Sequence, residues 1–208
     1  MSNMITKRRK ELLGFEFLLE QINSLKIYRI PQEVYVEGGD VIVSENYLFI
    51  GYSKDRDFYK YEVSRTNDKA LVYLKSLFPS KQIIGFELNK SDTNSDQNCL
   101  HLDCCFQPLG LGHVIIYPDG FKQQSDIHRI SSIFGEENLI FIDKNEMNMM
   151  FSNVFSISNN TIVSDKTFSR LNDLLRTKGY LVEEVSFAEI SKMGGLLRCA
   201  TLPLKRNK

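Results

Sequence analysis

Hydrophobic residues in this chain of 208 residues form short clusters that alternate between strand-like and helix-like spacing. Strand-like runs rich in Ile, Val, Phe and Tyr are separated by segments in which apolar residues recur every three or four positions. Near the N-terminus, positions 5–25 have helical spacing with a charged face, and Lys26–Pro31 is a short apolar run. The pattern therefore predicts a helix followed by a strand in this region.

Beyond position 33 the same order of elements occurs three times: a strand pair, a helix and a closing strand. The predicted strands are Val34–Ser44, Tyr47–Tyr52 and Gln82–Leu88, then Leu100–Phe106, His113–Tyr117 and Leu139–Ile142, then Val154–Ser158, Thr161–Ser164 and Tyr180–Val185. The predicted helices are Asn67–Phe78, Ser125–Phe134 and Lys166–Lys178. The last of these should end at Gly179, a residue type common just after helices.

A final segment, Arg198–Leu204, has the pattern of the first strand of a further unit. Small repeated units bury their apolar faces only against their neighbours, so the units should form one continuous α/β domain. No Pro-rich linker interrupts positions 1–208. We therefore predict a single domain over that range.

Charge composition excludes some classes of partner. Lys plus Arg and Asp plus Glu both total 26, so the chain lacks the basic excess that nucleic-acid binding requires. No apolar run reaches the roughly 18 residues of a membrane-spanning helix, and no apolar segment of a secretory signal follows the basic N-terminal cluster.

The adjacent cysteines Cys104 and Cys105 suit a reducing compartment better than a disulfide framework. We expect a cytoplasmic protein.

The first candidate motif is Glu37-Gly38-Gly39-Asp40. Two glycines allow a tight turn or a close approach to a ligand, and a carboxylate lies on either side of them. A glycine bulge with solvated acids explains the motif equally well. This motif alone does not decide between the two interpretations.

The second candidate motif is His101-Leu102-Asp103. In a strand, alternate side chains share a face, so the imidazole and the carboxylate should point the same way. A carboxylate fixes the orientation of an imidazole and increases its basicity, although an exposed charge pair is the simpler explanation. A metal site using Cys99, His101, Cys104 and His113 is disfavoured because the chain has no Cys-x-x-Cys pair.

The third candidate motif places Cys199 directly after Arg198, downstream of the Gly194-Gly195 pair. A neighbouring cation lowers the pKa of a thiol and increases the thiolate fraction. A purely structural cysteine is the alternative. On the first hypothesis, Cys199 is a nucleophile at the entry to a strand.

In combination, the three motifs resemble those of the arginine deiminase and amidinotransferase family, whose fold is the five-bladed α/β propeller called the pentein. The resemblance extends from about Met4 to Arg206 and includes the runs HLDCCFQPLG, SNVFSIS and LLRCATLPL. It implies a pentein-type propeller of strand–strand–helix–strand units. With three full units and a closing strand, and without the FxRD motif of the family, this propeller is expected to be incomplete.

The resemblance also implies chemistry. Cys199 matches the nucleophile, His101 the general acid and base, and Glu37 the carboxylate that orients this histidine or contacts the substrate. Asp103 matches a carboxylate that binds the guanidinium group, with Asp40 and Arg198 as further candidates for substrate contact. No metal or cofactor is implied. The expected function is hydrolysis of a small guanidino compound of the arginine or methylarginine type, through a covalent thioether.

Two alternatives stay open at this point. An amidinotransferase would differ only in the amine that attacks the thioether. A catalytically inactive module would keep the fold for binding or structural purposes. Exposed strand edges of an incomplete propeller would favour association, so a homo-oligomer is a further expectation.

Overall fold

Three small mixed sheets follow one another along the chain in the computed structural model, which describes residues 10, 14, 21 and 28–203. Each sheet has three strands, in which the first two are antiparallel and the third runs parallel to the second. The strands are β1 (Val41–Val43), β2 (Tyr47–Tyr52) and β3 (Gln82–Glu87), then β4 (Phe106–Pro108), β5 (Val114–Ile116) and β6 (Leu139–Phe141), then β7 (Phe155–Ser156), β8 (Thr161–Asp165) and β9 (Leu181–Val185). The predicted α/β class and its threefold repeat are confirmed.

Each sheet has at least one helix between its second and third strands, and two further short helices follow the second and third sheets. In chain order they are α1 (Asp55–Lys60), α2 (Lys69–Leu77), α3 (Gln124–Phe134), α4 (Lys144–Asn148), α5 (Ser169–Thr177) and α6 (Ala188–Ser191). The three predicted crossover helices correspond to α2, α3 and α5, and Gly179 follows α5 with a φ of +91°, as expected for a glycine at a helix end. The short helices α1, α4 and α6 were not predicted because each is shorter than two turns.

The central strands of the first two sheets are buried on both faces, which explains their continuous apolar sequences. In β2 the run Leu48–Gly51 is buried, and all three residues of β5 are buried. Aromatic rings join the first two sheets: Phe49 and Phe106 have ring centroids 5.0 Å apart, and Phe86 and Phe121 have theirs 5.3 Å apart. These sheets therefore share an apolar core, and a second apolar cluster includes Leu48 and Ile50 of the first sheet.

Three predicted strands are wrong at the positions that carry the candidate chemistry. Within Val34–Ser44 only Val41–Val43 is a strand, and Gly38–Asp40 is a 3₁₀ turn. Within Leu100–Phe106 the segment Leu102–Cys104 is also a 3₁₀ turn. Residues 197–200 form a turn and 201–203 are not in a strand, so the closing strand Arg198–Leu204 is not found in the described residues. In each case contacts with distant residues hold the turn.

The N-terminal predictions fall mostly outside the described residues. Of positions 5–31, the structure describes only 10, 14, 21 and 28–31, and residues 28–31 are not in a strand. Among the described residues, no helix has both the length and the apolar character needed to cross a bilayer.

Candidate active site

Glu37 and the following glycines form one wall of the candidate site. Glu37 lies directly before the 3₁₀ turn Gly38–Asp40 and is only 6% exposed. A Cβ atom on Gly39 would lie 2.7 Å from Nδ1 and 2.8 Å from Cγ of His101, whereas a Cβ on Gly38 would have no atom within 4 Å. Glycine at position 39 therefore allows the imidazole to lie directly against the backbone of this turn.

His101 is held by the first motif. Its Nε2 lies 3.0 Å from Oε2 of Glu37, which leaves Nδ1 facing Gly39. Burial by itself would lower the pKa of His101. The hydrogen bond to Glu37 and the charges of Asp40 and Asp103 outweigh burial, so the pKa of the imidazole is raised above its usual value. A protonated His101 is the form that this environment favours.

Asp103 lies between this histidine and the C-terminal cysteine. It is 1% exposed, and burial raises the pKa of its carboxyl group although His101 and Arg198 act in the opposite direction. Its Oδ2 lies 3.7 Å from Sγ of Cys199 and 3.6 Å from Nε of Arg198. The carboxylate thus contacts both residues of the Arg198-Cys199 pair.

Cys199 occupies a turn rather than the start of a strand. It is exposed, whereas Cys99 and Cys105 are buried and Cys104 is partly buried. Although the residue as a whole is exposed, its sulfur is partly buried against Asn153 and Asp103, and this burial, followed by the charge of Asp103, raises the pKa of the Cys199 thiol. The sequence predicted the opposite direction, from the charge of Arg198.

The side chain of Arg198 explains this difference. Its Nη2 donates to the carbonyl oxygen of Val41 at 3.0 Å, and its Nε approaches Asp103. Its positive charge is thereby directed at the carboxylate rather than at the sulfur. Adjacency in sequence did not predict where this side chain points.

Asp40 has structural partners for both carboxylate oxygens. Oδ2 accepts the hydroxyl proton of Thr66 at 2.6 Å, and Oδ1 accepts the backbone N–H of Leu102 at 2.9 Å. The second bond ties the first motif to the turn that carries His101 and Asp103. The geometry therefore gives Asp40 a role in joining two segments 62 positions apart.

Sequence reasoning missed three residues that contact this cluster. Arg65 places Nη1 3.5 Å from Oε1 of Glu37, and Thr66 binds Asp40. Asn153 contacts Cys199 through both ends of its side-chain amide. A polar residue among apolar ones would have indicated Asn153, but Thr66 lies in the polar run 64–69 and carries no such signal.

The disfavoured metal set does not assemble. Nδ1 of His113 lies 3.0 Å from the hydroxyl group of Tyr180, and the sulfur of Cys99 donates to the carbonyl oxygen of His101. Within the described ranges, no group of three or more His, Cys, Asp or Glu residues is arranged to bind a metal ion.

Comparisons with known proteins now define the family. Residues 1–206 match the family model described as N,N dimethylarginine dimethylhydrolase, eukaryotic. The chain belongs to this family, within the pentein group of arginine-deiminase-like proteins that its motifs resemble.

Individual relatives are identical to the chain at roughly a quarter of the aligned positions. The uncharacterized protein YkgA of Bacillus subtilis is 28% identical over 83% of this chain and 53% of its own length. The bifunctional arginine dihydrolase/ornithine cyclodeaminase ArgZ of Synechocystis is 26% identical over 86% of this chain and 23% of its own length. An arginine deiminase of Listeria monocytogenes is 23% identical over 96% of this chain and 55% of its own length. The chain therefore spans about half of YkgA and of this deiminase.

Solved structures support the same fold. The N-terminal domain of cyanobacterial ArgZ, bound to product, has a TM-score of 0.79 at 23% identity. The superposition covers 97% of this chain and 68% of the ArgZ domain. A variant of DDAH from Pseudomonas aeruginosa complexed with citrulline has a TM-score of 0.71 at 19% identity, over 93% of this chain and 66% of its own. Both are pentein-fold domains, which agrees with the expected fold family.

Proposed function

We propose that this chain hydrolyses a guanidino compound of the arginine or methylarginine type through a covalent intermediate on Cys199. The observation that carries the proposal is that the Cys199 sulfur lies 3.7 Å from the buried carboxylate of Asp103. Asp103 in turn comes two residues after His101, whose ring is paired with Glu37. A nucleophile, an acid–base group and two acids thus line one site. We further propose that the three sheets are blades of a pentein propeller and that the protein acts in the cytoplasm.

Substrate binding would use the buried carboxylate of Asp103. A guanidinium group stays protonated at neutral pH and binds carboxylates through forked hydrogen bonds. Asp103 is the carboxylate closest to the sulfur, so a cation bound there would have its central carbon beside Cys199. The same positive charge would offset the charge of Asp103 that raises the pKa of the thiol.

The first chemical step forms a carbon–sulfur bond. Once the cation is bound, the Cys199 thiol releases its proton to solvent and the thiolate attacks the guanidinium carbon, while the electron pair of the carbon–nitrogen double bond moves onto nitrogen. Protonated His101 then donates its proton to the leaving amine, and the carbon–nitrogen bond to that amine breaks as a lone pair on another nitrogen restores the double bond. The raised pKa of His101 favours this protonated form in the resting site.

The second step returns the enzyme to its starting state. Neutral His101 removes a proton from water, and the oxygen attacks the same carbon. The carbon–sulfur bond breaks, its electron pair returns to sulfur, and the remaining hydroxyl proton passes through solvent to restore the thiol as the ureido product leaves. Water is the only co-reactant, and Glu37 keeps the imidazole oriented through both steps.

The test is turnover by the purified chain with arginine, methylated arginines and agmatine. We expect a ureido product, together with a covalent adduct on Cys199 in acid-quenched samples analysed by mass spectrometry. Arginine and Nω,Nω-dimethylarginine, which carries both methyl groups on one nitrogen, should give adducts of the same mass because they differ only in the amine that leaves. Cys199→Ser should remove both signals, and Ala200→Ser, at the exposed neighbouring position, should keep them.

Other outcomes distinguish the alternatives. A folded protein that gives neither product nor adduct with any of these compounds would contradict the proposal and favour a non-catalytic module. Product that depends on an added amine acceptor, with no ureido compound in its absence, would indicate amidino transfer.

A further inference from the structure

We infer that Asn153 is the residue that positions the Cys199 nucleophile and donates a hydrogen bond to its thiolate. The effect of Asn153 on catalysis depends on the proposed function, whereas its effect on the thiol does not. Asn153 lies outside the three sequence motifs. Asn153 lies in the turn before β7, 46 positions away from Cys199, and it has no exposed surface.

Contacts from three parts of Asn153 converge on the Arg198-Cys199 segment. Side-chain Nδ2 donates to Sγ of Cys199 at 3.2 Å, and side-chain Oδ1 accepts the backbone N–H of Cys199 at 3.1 Å. The backbone oxygen of Asn153 accepts the N–H of Arg198 at 3.2 Å. This segment is therefore fastened to Asn153 by its backbone as well as by its sulfur.

The direction of the amide follows from its partners. The backbone N–H of Cys199 is a donor, so the side-chain atom facing it must be the oxygen. That choice places the amide nitrogen, which only donates, against the sulfur. A hydrogen bond from this nitrogen favours the thiolate over the thiol because the charged form is the better acceptor.

Ser152, the residue before Asn153, holds Asp103 in place beside Cys199. Ser152 is fully buried, and its hydroxyl group donates to the backbone oxygen of Asp103 at 2.8 Å. Adjacent residues of one turn therefore hold the aspartate and the cysteine. The separation between Asp103 and Cys199 is set by the Ser152-Asn153 turn, although neither functional residue belongs to the third repeat unit.

The test measures how alkylation of Cys199 by iodoacetamide depends on pH, with the modified peptide quantified by mass spectrometry. Besides Asn153, the groups that act on this sulfur or its neighbours are Asp103, Arg198, His101 and Cys104, and all of them stay unchanged in the variants below. Asn153→Asp keeps an oxygen for the Cys199 N–H but replaces the donor with a carboxylate. Asn153→Ala removes both contacts.

We expect alkylation of Asn153→Ala at pH 7 to be roughly tenfold slower than that of the parent, which is the effect of losing one hydrogen bond to a charged group. Asn153→Asp should react more slowly still, because a negative charge then faces the thiolate. At high pH, where the thiolate is fully formed, all three proteins should react at similar rates. In an active enzyme, Asn153→Ala should lower kcat with little change in KM, since the carboxylates of the site are unaltered.

Asn172→Asp is the matched control. Asn172 is equally buried, lies in the same repeat unit and donates to the backbone oxygen of Asp165 rather than to Cys199. This variant should lose stability but keep the pH profile of the parent. An unchanged profile in Asn153→Asp, or an equal displacement in Asn172→Asp, would overturn the inference.

If the Asn153 variants do not fold, the parent protein provides the measurement. The side-chain amide signal of Asn153 in ¹⁵N NMR should shift as the Cys199 thiol ionises, and it should stop shifting in Cys199→Ser. No shift in the parent would overturn the inference. Alkylation needs no substrate, so the two proposals can fail separately. A displaced pH profile of alkylation in the Asn153 variants, without turnover of guanidino compounds by the parent, would refute only the proposed function. Turnover by the parent with an undisplaced profile in the variants would refute only the role of Asn153.

Discussion

Oε2 of Glu37 and Nε2 of His101 lie 3.0 Å apart, although 64 positions of sequence separate the two residues. Glu37 leads into the first sheet and His101 precedes the second, so this contact is made across the boundary between two repeat units. It fixes the orientation of the imidazole and, together with nearby carboxylates, raises the pKa of the ring.

Replacing Glu37 with glutamine should lower the pKa of His101, because a charged acceptor becomes a neutral one while burial still favours the neutral ring. NMR titration of the histidine ring protons measures this change. His113, whose pKa is lowered by burial and by Lys178, provides an internal control and should not move. An unaltered His101 titration would contradict the importance of this pair.

The same pair should make stability depend on pH in a defined direction. A pKa that is raised in the folded state adds stability at pH values below that of the unfolded imidazole, about 6.5. That stability is lost as the pH rises through the folded-state value. Urea unfolding at pH 5.5 and 8.5 measures this dependence. The free energy of unfolding should fall less on raising the pH in Glu37→Gln than in the parent. An equal fall in both proteins would show that the Glu37–His101 pair does not make stability depend on pH.

Asp103→Asn should affect thiol reactivity and turnover in opposite directions. Removing the carboxylate should lower the pKa of Cys199 and speed its alkylation at neutral pH. Turnover of guanidino compounds should nevertheless fall by roughly 10²-fold or more, because a charge that holds the cation is lost. Slower alkylation in this variant would show that Asp103 supports the thiolate instead.

Gly39→Ala and Gly38→Ala form a matched pair of substitutions one residue apart. The added Cβ at position 39 would lie within 3 Å of three atoms of His101, so the imidazole must move away from Glu37. We expect a loss of about 1–3 kcal/mol in unfolding free energy and of most activity. Gly38→Ala, which meets no atom within 4 Å, should be tolerated in both assays.

Asp40→Asn should act on stability more than on substrate affinity. Both carboxylate oxygens accept hydrogen bonds, from Thr66 and from the backbone of Leu102, and an amide retains only one acceptor oxygen. A loss of about 1–3 kcal/mol in unfolding free energy is expected. In a double-mutant cycle with Thr66→Val the two losses should not add, and a large rise in KM without destabilisation would instead support direct substrate contact by Asp40.

Several features of this protein were determined by the sequence alone. The continuous apolar run of β2 and the amphipathic spacing of α3 reflect local burial, which repeats with the period of each element. Local pattern therefore predicted the α/β class and the threefold order of elements. The identities of Glu37, His101, Asp103 and Cys199 carried the family resemblance, because guanidino chemistry needs a thiol, an imidazole and acids.

Only the tertiary structure decided how these residues are arranged. The segment Leu102–Cys104 was predicted as a strand, but a carboxylate from Asp40 accepts its first N–H and the chain turns. The guanidinium group of Arg198 likewise faces Val41 and Asp103 rather than the sulfur, so burial and the charge of Asp103 raise the pKa of Cys199 instead of the predicted lowering. Electrostatics and turn geometry depend on neighbours in space, and those neighbours are tens of positions away along the chain.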